Sequence, residues 1–255
     1  MAQLSRVPEP VEWADIVTEV TGDKYAYCTE NFVLRAPADT EVIACADLCD
    51  KAVFAGLIDR FSLQYPGADR RSVASMWTQY YFARLMIAMA VAALELRRQL
   101  PLDLADVRLC VGVEFAAPRA FLLPHMGHET DVLPIGQALH GVLRLHAEPL
   151  IEAIAGNAGL GRKLLWTNVA AYLDWMVDEI GRVTEQPAAR VLASDYKTDI
   201  WANGAKNPTY GLIRRQLDEH GVAYGRRKVC CLRYGLPGVA GCGISCPLPQ
   251  GQTPA

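Results

Sequence analysis

The sequence predicts an α+β fold that is predominantly α-helical, with a small antiparallel sheet and a cysteine-rich C-terminal segment. Most of the chain places apolar residues at helical spacing, which predicts helices packed on a shared core. One stretch, residues 107–115, alternates in polarity and is rich in β-branched residues, which favours a strand. The C-terminal segment contains four of the eight cysteines and no acidic residue from 220 onward.

Three helical segments are predicted in the first half of the chain. The first covers residues 11–20, and a second helical periodicity extends over residues 41–64. Ser72 is a suitable N-cap for a long helix that ends near Gln99, because Pro101 forbids further extension.

The second half begins with the strand at residues 107–115, whose partner is predicted at residues 121–124 or 31–35. Pro134 suits the first turn of the next helix. The further helices that the pattern predicts are residues 134–155 with a kink or break at Pro149, residues 161–183, and a shorter helix from Pro208 to Glu219.

Size and charge limit the class of protein. A chain of 255 residues and 28.0 kDa can bury one core, and we predict a core domain at residues 1–220 followed by a metal-binding segment at 221–255. The net charge of −3 and the pI near 6.0 argue against a nucleic-acid partner. The most apolar run, residues 85–94, is about half a membrane span, which leaves at most peripheral membrane contact.

The N-terminal residues MAQLSRVPEPVEW contain no apolar signal-peptide region. Together with eight cysteines, this predicts a cytoplasmic protein whose thiols stay reduced. No G-x-G-x-x-G fingerprint occurs, so we expect electrons to arrive from a partner rather than from a bound dinucleotide.

The four C-terminal cysteines have the spacing Cys230-Cys231-x10-Cys242-x3-Cys246. Four thiolates are the ligands of a [2Fe–2S] cluster, and a Gly- and Pro-rich loop can bring them together. Nearby cations would favour the reduced, more negative cluster, and the segment carries Arg226, Arg227, Lys228 and Arg233.

The spacing of these cysteines alone also leaves a structural zinc, disulfides and unliganded thiols open. A structural zinc takes four cysteines, but it usually uses two separated C-x2-4-C pairs, and adjacent Cys230 and Cys231 fit that pattern poorly. Disulfides would require an oxidising compartment. Unliganded thiols would require no particular spacing.

The run from Arg226 to Gly243, RRKVCCLRYGLPGVAGCG, resembles the C-terminal signature of the ferric siderophore reductases, the FhuF-like family. Three further stretches are similar to that family and occur in the same order: residues 75–81 (SMWTQYY), 164–168 (LLWTN) and 203–208 (NGAKNP). The resemblance therefore covers approximately residues 70–246. The family pattern ends Cys-x2-Cys, whereas this chain has Cys-x3-Cys, a difference that a glycine-containing loop can absorb.

The resemblance implies a cytoplasmic oxidoreductase that passes one electron from an external donor to siderophore-bound Fe(III). It implies a [2Fe–2S] cluster on Cys230, Cys231, Cys242 and Cys246, with a ferredoxin or an NAD(P)H-dependent reductase as donor. The alternative is a non-catalytic Fe–S or zinc-stabilised siderophore-binding or sensor protein.

Candidate docking residues for the chelate or the donor are the basic residues Arg226, Arg227, Lys228 and Arg233, together with aromatic and amide side chains in the family-like stretches. The aromatic candidates are Trp77, Tyr80, Tyr81, Trp166 and Trp201, and the amide candidates are Asn168 and Asn207. His125 and His128 are expected in a surface loop, and Cys45 and Cys49 are expected to pack on a helix face.

Overall fold

The computed structural model describes residues 11–249 and contains seven α-helices and eight strands within that range. The helices are α1 Trp13–Thr21, α2 Lys51–Ser62, α3 Arg70–Ala90, α4 Ile135–Ala138, α5 Glu148–Ala158, α6 Arg162–Val183 and α7 Pro187–Tyr196. The strands are β1 Phe32–Val33, β2 Thr40–Ala44, β3 Arg98–Gln99, β4 Arg108–Gly112, β5 Pro118–Leu122, β6 His128–Glu129, β7 Ile213–Leu217 and β8 Ala223–Arg227. The α+β class predicted from the sequence is confirmed.

Helices α3 and α6 pack against each other and form the centre of the molecule. Helix α3 is buried along most of its length, and its largest core side chains include Trp77 and Tyr81. Helix α6 buries Leu165, Val169 and Leu173 at the helical spacing that the sequence predicted. The predicted helices at residues 11–20 and 161–183 are both confirmed as α1 and α6.

The start and end of α3 differ from the prediction. Its N-cap is Asp69, whose carboxylate accepts a hydrogen bond of 3.0 Å from the Ser72 backbone N–H, so Ser72 lies inside the helix. The α-helix ends at Ala90 and continues as one π-helical segment, Val91–Glu95. Residues 98 and 99 form β3 instead of the helix end predicted near Gln99.

The central sheet has the strand order β1-β5-β4-β2. Strands β2, β4 and β5 pair antiparallel, while the short β1 pairs parallel with β5. The predicted strand at residues 107–115 is β4, and both of the partner regions proposed from the sequence contribute strands. The two-stranded pairs β3–β6 and β7–β8 are separate and antiparallel.

The helix predicted over residues 41–64 is wrong in its first part. Residues 40–44 form β2, and residues 45–49 form a 3-10 turn before α2 begins at Lys51. The β-branched residues Thr40, Val42 and Ile43 suit a strand, and β4 offers a complete antiparallel partner for it. Asp50 caps α2 by accepting hydrogen bonds from the backbone of Ala52 and Val53.

Two further elements were predicted incorrectly. The segment after Pro208 contains β7 rather than a helix, because residues 213–217 pair with β8 in a hairpin. Helix α7, which begins with Pro187 in its first turn, was not predicted at all. The turn of the β7–β8 hairpin lies at residues 218–222 and contains the predicted domain boundary at 220/221. The division into two domains stays a prediction.

The segment predicted as one helix from Pro134 to residue 155 is divided into three parts. Helix α4 ends at Ala138, a π-helical segment covers Gly141–Ala147, and α5 begins at Glu148. Pro149 occupies the first turn of α5, where a missing N–H costs little, so the irregular segment precedes it. No helix within residues 11–249 is long and apolar enough to cross a membrane.

Candidate metal centre

The C-terminal segment is attached to the helical core through hydrogen bonds to α3 and α6. The Ser75 hydroxyl on α3 donates a 2.7 Å hydrogen bond to the carbonyl of Cys231. The Arg227 guanidinium donates to the side-chain oxygen of Asn168 on α6, and the Asn168 amide donates 3.0 Å to the Thr78 hydroxyl. These buried polar groups fix the start of the cysteine segment over the α3–α6 pair.

The chain then approaches α3 too closely for a side chain. A Cβ at Gly235 would overlap the hydroxyl of Ser72 and press against its Cβ, so a larger residue would require Ser72 to move. Leu232 adopts a left-handed conformation with φ of 62°, which is unusual for a residue other than glycine. Its backbone N–H points to the Cys230 sulfur at 3.4 Å. The strained turn therefore directs a hydrogen-bond donor toward a thiol.

The cysteine side chains gather on this segment. The sulfurs of Cys231 and Cys242 are 3.1 Å apart, and Cys231 is buried while Cys242 is half-buried. Cys230 lies within electrostatic reach of both Cys231 and Cys246. All eight cysteines of the chain are free thiols in this structure. Within residues 11–249, however, no three Cys, His, Asp or Glu side chains already stand in a metal-ligand arrangement.

Positive charge surrounds the thiol pair. A hydrogen bond from the Cys242 thiol lowers the pKa of Cys231 well below its ordinary value, and the guanidinium groups of Arg227 and Arg233 reinforce this effect against burial. The same hydrogen bond raises the pKa of Cys242, because its thiol holds the shared proton. Burial raises the pKa of Cys230. The site therefore favours one thiolate, on Cys231.

Two guanidinium nitrogens at this site have no protein partner. The Nε atoms of Arg227 and Arg233 are buried and donate to no acceptor among the described residues. A buried donor without a partner costs free energy, so it indicates a place for an additional acceptor. An anionic group bound at the four cysteines would supply that acceptor, and a thiolate-ligated iron–sulfur cluster has the required negative charge. The residues present therefore fit such a group.

The other basic residues of the segment lie at its surface. Arg226 donates from Nε to the Cys246 carbonyl at 2.9 Å and so holds the last cysteine against β8. Lys228 is exposed. Arg214 on β7 stands directly opposite Arg226 in the hairpin register, which places like charges side by side on one face.

A groove of about 750 Å³ opens beside the cysteines, between α6 and the β7–β8 hairpin. Its lining includes Cys242, Arg227 and Arg233, and its aromatic lining residues are Tyr172, Trp175 and Tyr224. Its size lies in the range of small-molecule sites in proteins. A ligand in the groove would contact the cysteine segment directly.

Most of the aromatic and amide docking candidates lie in the core instead. Trp77 and Asn168 are fully buried and Asn207 is 3% exposed, so none of the three offers surface to a ligand. The Trp77 indole donates to the Ala116 carbonyl at 3.0 Å, and Asn207 donates 2.7 Å to the Tyr196 carbonyl. Tyr81 and Trp201 are also buried, whereas Tyr80 is exposed and Trp166 is half-buried.

The remaining candidates from the sequence lie on elements other than the C-terminal cysteine segment. His125 and His128 are exposed, as expected for a surface loop, and His128 belongs to β6. Cys45 is buried and Cys49 half-buried, on a 3-10 turn rather than on the α-helix that the periodicity indicated.

The sequence reasoning missed Trp175, the tryptophan with the largest exposed fraction in the described chain. It is 48% exposed and lies on α6 at the groove. Helical spacing could have identified it, because Leu173, Met176 and Ile180 point inward and residue 175 falls on the other side of the helix. A large aromatic residue on the outer face of a helix is the signal that was available.

The fold is an α+β core whose C-terminal segment carries free thiols among guanidinium groups. A family model described as "Ferric iron reductase FhuF-like transporter" matches residues 75–224, which is more than half of the chain. The chain belongs to this family.

One curated relative is the ferric siderophore reductase of Escherichia coli (strain K12). It is 25% identical over 190 residues, which cover 69% of this chain and 65% of the relative. The chain thus spans slightly less than two thirds of that protein. The family match ends at residue 224, so it does not include any of the four C-terminal cysteines.

Proposed function

We propose that this protein is a cytoplasmic ferric siderophore reductase that holds a [2Fe–2S] cluster on Cys230, Cys231, Cys242 and Cys246. The observation that carries the proposal is the pair of thiols Cys231 and Cys242, whose sulfurs are 3.1 Å apart beside the buried, unpaired Nε donors of Arg227 and Arg233. Cys230 and Cys246 belong to the same short segment. This segment stands next to an open groove, in a chain that belongs to the ferric iron reductase family.

Two of the four sulfurs, those of Cys231 and Cys242, lie 3.1 Å apart. Cys230 lies within electrostatic reach of both Cys231 and Cys246, so after local rearrangement the four thiols could supply two ligands to each of two irons. When bound, the cluster would supply a reversible one-electron couple. Arg227 and Arg233 place positive charge and free N–H donors at the Cys231–Cys242 pair, which raises the stability of negative charge there.

The substrate would be Fe(III) held by oxygen ligands. Hard oxygen donors bind Fe(III) much more tightly than Fe(II), so the gain of one electron weakens the chelate and releases the iron. The reaction leaves the organic chelator intact. It needs a bound electron source close to the chelate rather than an acid–base pair in the protein.

The electron would come from another protein, a ferredoxin or an NAD(P)H-dependent reductase. The exposed residues Arg214 and Lys228, together with the half-buried Arg226, form a positive surface on and next to the hairpin. Such a surface would attract an acidic donor by electrostatic steering, which salt screens. A donor bound there would lie next to Cys246, since Arg226 contacts the Cys246 carbonyl.

Metal analysis and absorption spectroscopy of the anaerobically purified protein test this function first. We expect a brown protein that contains iron and acid-labile sulfide in equal amounts. After chemical reduction in the absence of oxygen, mixing with a ferric siderophore should restore the oxidised spectrum and produce Fe(II), which a ferrous chelator detects.

Two outcomes would contradict the proposal. A colourless protein with one zinc per chain would favour a zinc-stabilised siderophore-binding or sensor protein. A brown protein whose reduced form is not reoxidised by any of a panel of ferric chelates would favour a non-catalytic Fe–S protein. Ferric chelates mixed with buffer and reductant alone provide the control for uncatalysed reduction.

A further inference from the structure

We propose that the groove between α6 and the β7–β8 hairpin binds the ferric chelate, with Trp175 and Tyr224 as its aromatic walls. This assignment rests on the proposed reductase function and adds the location of the substrate and the residues that hold it. Cys242 and Ser245 line the groove, so a chelate bound beside them contacts the cysteine segment.

The size of the groove suits a bulky chelate. Its volume of about 750 Å³ lies within the range of roughly 300 to 1,000 Å³ that small-molecule sites occupy. Its lining includes the exposed residues Val222 and Ala223 at the hairpin, so the groove is accessible from solvent.

The charges in the groove divide into paired and unpaired groups. Asp174 lies 3.1 Å from an Arg215 nitrogen, Asp178 is paired with both Arg215 and Lys197, and Glu179 lies 2.7 Å from Arg182. These ion pairs neutralise the carboxylates along the groove.

Arg227 and Arg233 line the same groove and have no carboxylate partner within residues 11–249. Arg227 is 7% exposed and keeps an unpaired Nε. The cluster would take up the Nε donors, but the positive charge of both guanidinium groups remains at the groove lining. That charge is complementary to the oxygen ligands of a ferric chelate, so the iron coordination sphere would lie on the side of Arg227 and Arg233.

Trp175 is the second independent indication. Trp13, Trp77 and Trp201 are at most 4% exposed, but Trp175 leaves 48% of its surface in solvent at the groove. Tyr27 packs beside it, with 6.0 Å between ring centroids, which holds the indole in place without covering it. Tyr224 lies on the hairpin side, and its hydroxyl donates 2.9 Å to Gln216. The two aromatic residues offer flat apolar surfaces to the organic part of a chelate.

Calorimetric titration with gallium(III) complexes tests the site without electron transfer, because Ga(III) resembles Fe(III) in charge and size but is not reduced. The oxidised, cluster-loaded protein would be titrated with the Ga(III) complex of a trihydroxamate and, separately, of a tricatecholate. We expect at least one complex to bind. Trp175→Ala and Tyr224→Ala should each weaken its binding about tenfold, through the loss of one aromatic contact.

Kinetics and matched variants separate binding from folding. Trp175→Phe should recover most of the affinity, and Tyr210→Ala, which removes an exposed aromatic residue that does not line the groove, should leave it unchanged. In turnover with the ferric chelate, Trp175→Ala should raise the half-saturating concentration about tenfold and leave the rate at saturation near the wild-type value.

The groove assignment is overturned if neither Ga(III) complex binds the wild-type protein, or if both alanine variants bind as tightly as wild type within twofold. It also fails if Trp175→Ala reduces the ferric chelate with an unchanged half-saturating concentration, in which case the reductase function stands. Conversely, groove-dependent binding of Ga(III) chelates together with no reoxidation by ferric chelates would retain the site and refute the reductase function.

Discussion

The cysteines of this protein fall into two groups that occupy opposite environments. Cys28, Cys45 and Cys110 are buried in the core, where burial raises the pKa of Cys28 and of Cys45 to about 12. In the C-terminal segment, a hydrogen bond from Cys242, assisted by Arg227 and Arg233, lowers the pKa of Cys231 instead. Burial therefore holds the core thiols in the protonated form, whereas the surroundings of Cys231 favour its thiolate.

The core also contains a polar cluster that is closed to solvent, in which Cys45 lies beside Tyr81. His146 is fully buried, with Nδ1 2.8 Å from the Leu102 carbonyl and Nε2 hydrogen-bonded to the Tyr81 hydroxyl. A carbonyl only accepts, so Nδ1 carries the proton and Nε2 accepts from Tyr81. Every polar atom of this imidazole is satisfied inside the protein, whereas the cysteine segment keeps two unsatisfied donors. Complete pairing indicates a structural role for His146, whereas the unpaired donors of Arg227 and Arg233 leave room for an additional acceptor beside the cysteines.

The largest expected effect concerns the cysteine group itself. Cys246→Ser should abolish the visible absorbance of the cluster and the reduction of ferric chelates, because one iron loses a thiolate. The far-ultraviolet circular dichroism should remain at the wild-type level, since Cys246 lies outside the α3–α6 core. Cys49→Ser is the matched control, because Cys49 is equally half-buried but lies on the 3-10 turn before α2. Equal loss of absorbance in both variants would contradict the assignment of the cluster to the C-terminal cysteines.

The second prediction concerns acid stability and the polar cluster in the core. Burial lowers the pKa of His146 to about 4 in the folded protein, against 6.5 for the ordinary imidazole. Between these values only the unfolded state binds the proton, so stability should fall as the pH drops from about 6.5 to about 4 and this loss should then level off. The shift corresponds to about 3 kcal/mol. Urea unfolding at a series of pH values measures it.

His146→Gln should flatten the pH dependence of the unfolding free energy in that window. His140→Gln is the control, because His140 is exposed and should leave the slope as in wild type. An identical slope in the His146 variant would show that other groups cause the acid sensitivity.

The smallest expected effect concerns the hydrogen bond between Arg227, at the start of the cysteine segment, and Asn168 on α6. Asn168→Ala removes the acceptor of the buried Arg227 guanidinium and should lower the free energy of unfolding by about 2 kcal/mol. It should also speed the loss of iron to a chelator, because Arg227 is no longer held beside the cysteines. Asn157→Ala, which removes a 3.0 Å hydrogen bond to the Cys49 carbonyl, is the control. A comparable rate of iron loss in the two variants would contradict a role for Asn168 in positioning the segment.

The sequence predicted some elements well and failed at others for identifiable reasons. Helix α6 has an uninterrupted apolar periodicity over twenty-two residues, so its local pattern and its packing agree. The apolar residues within 40–44 are compatible with the spacing of a helix or of a strand, and antiparallel pairing with β4 stabilises the strand. The residues of β7 become a strand for the same reason, since β8 supplies the partner. Ambiguous local patterns are resolved by contacts with distant residues.

For the site, the sequence by itself determined that four thiols and several basic residues occur in a segment without Asp or Glu, because ligand type and charge are properties of single side chains. The tertiary structure alone decided that Asn168 and Trp77 are buried, that Trp175 faces a groove, and that Arg227 and Arg233 retain unpaired donors beside Cys231 and Cys242. Burial and hydrogen-bond pairing depend on the contacts among α3, α6 and the β7–β8 hairpin. Those contacts join residues more than fifty positions apart in the sequence, so a local sequence pattern cannot predict them.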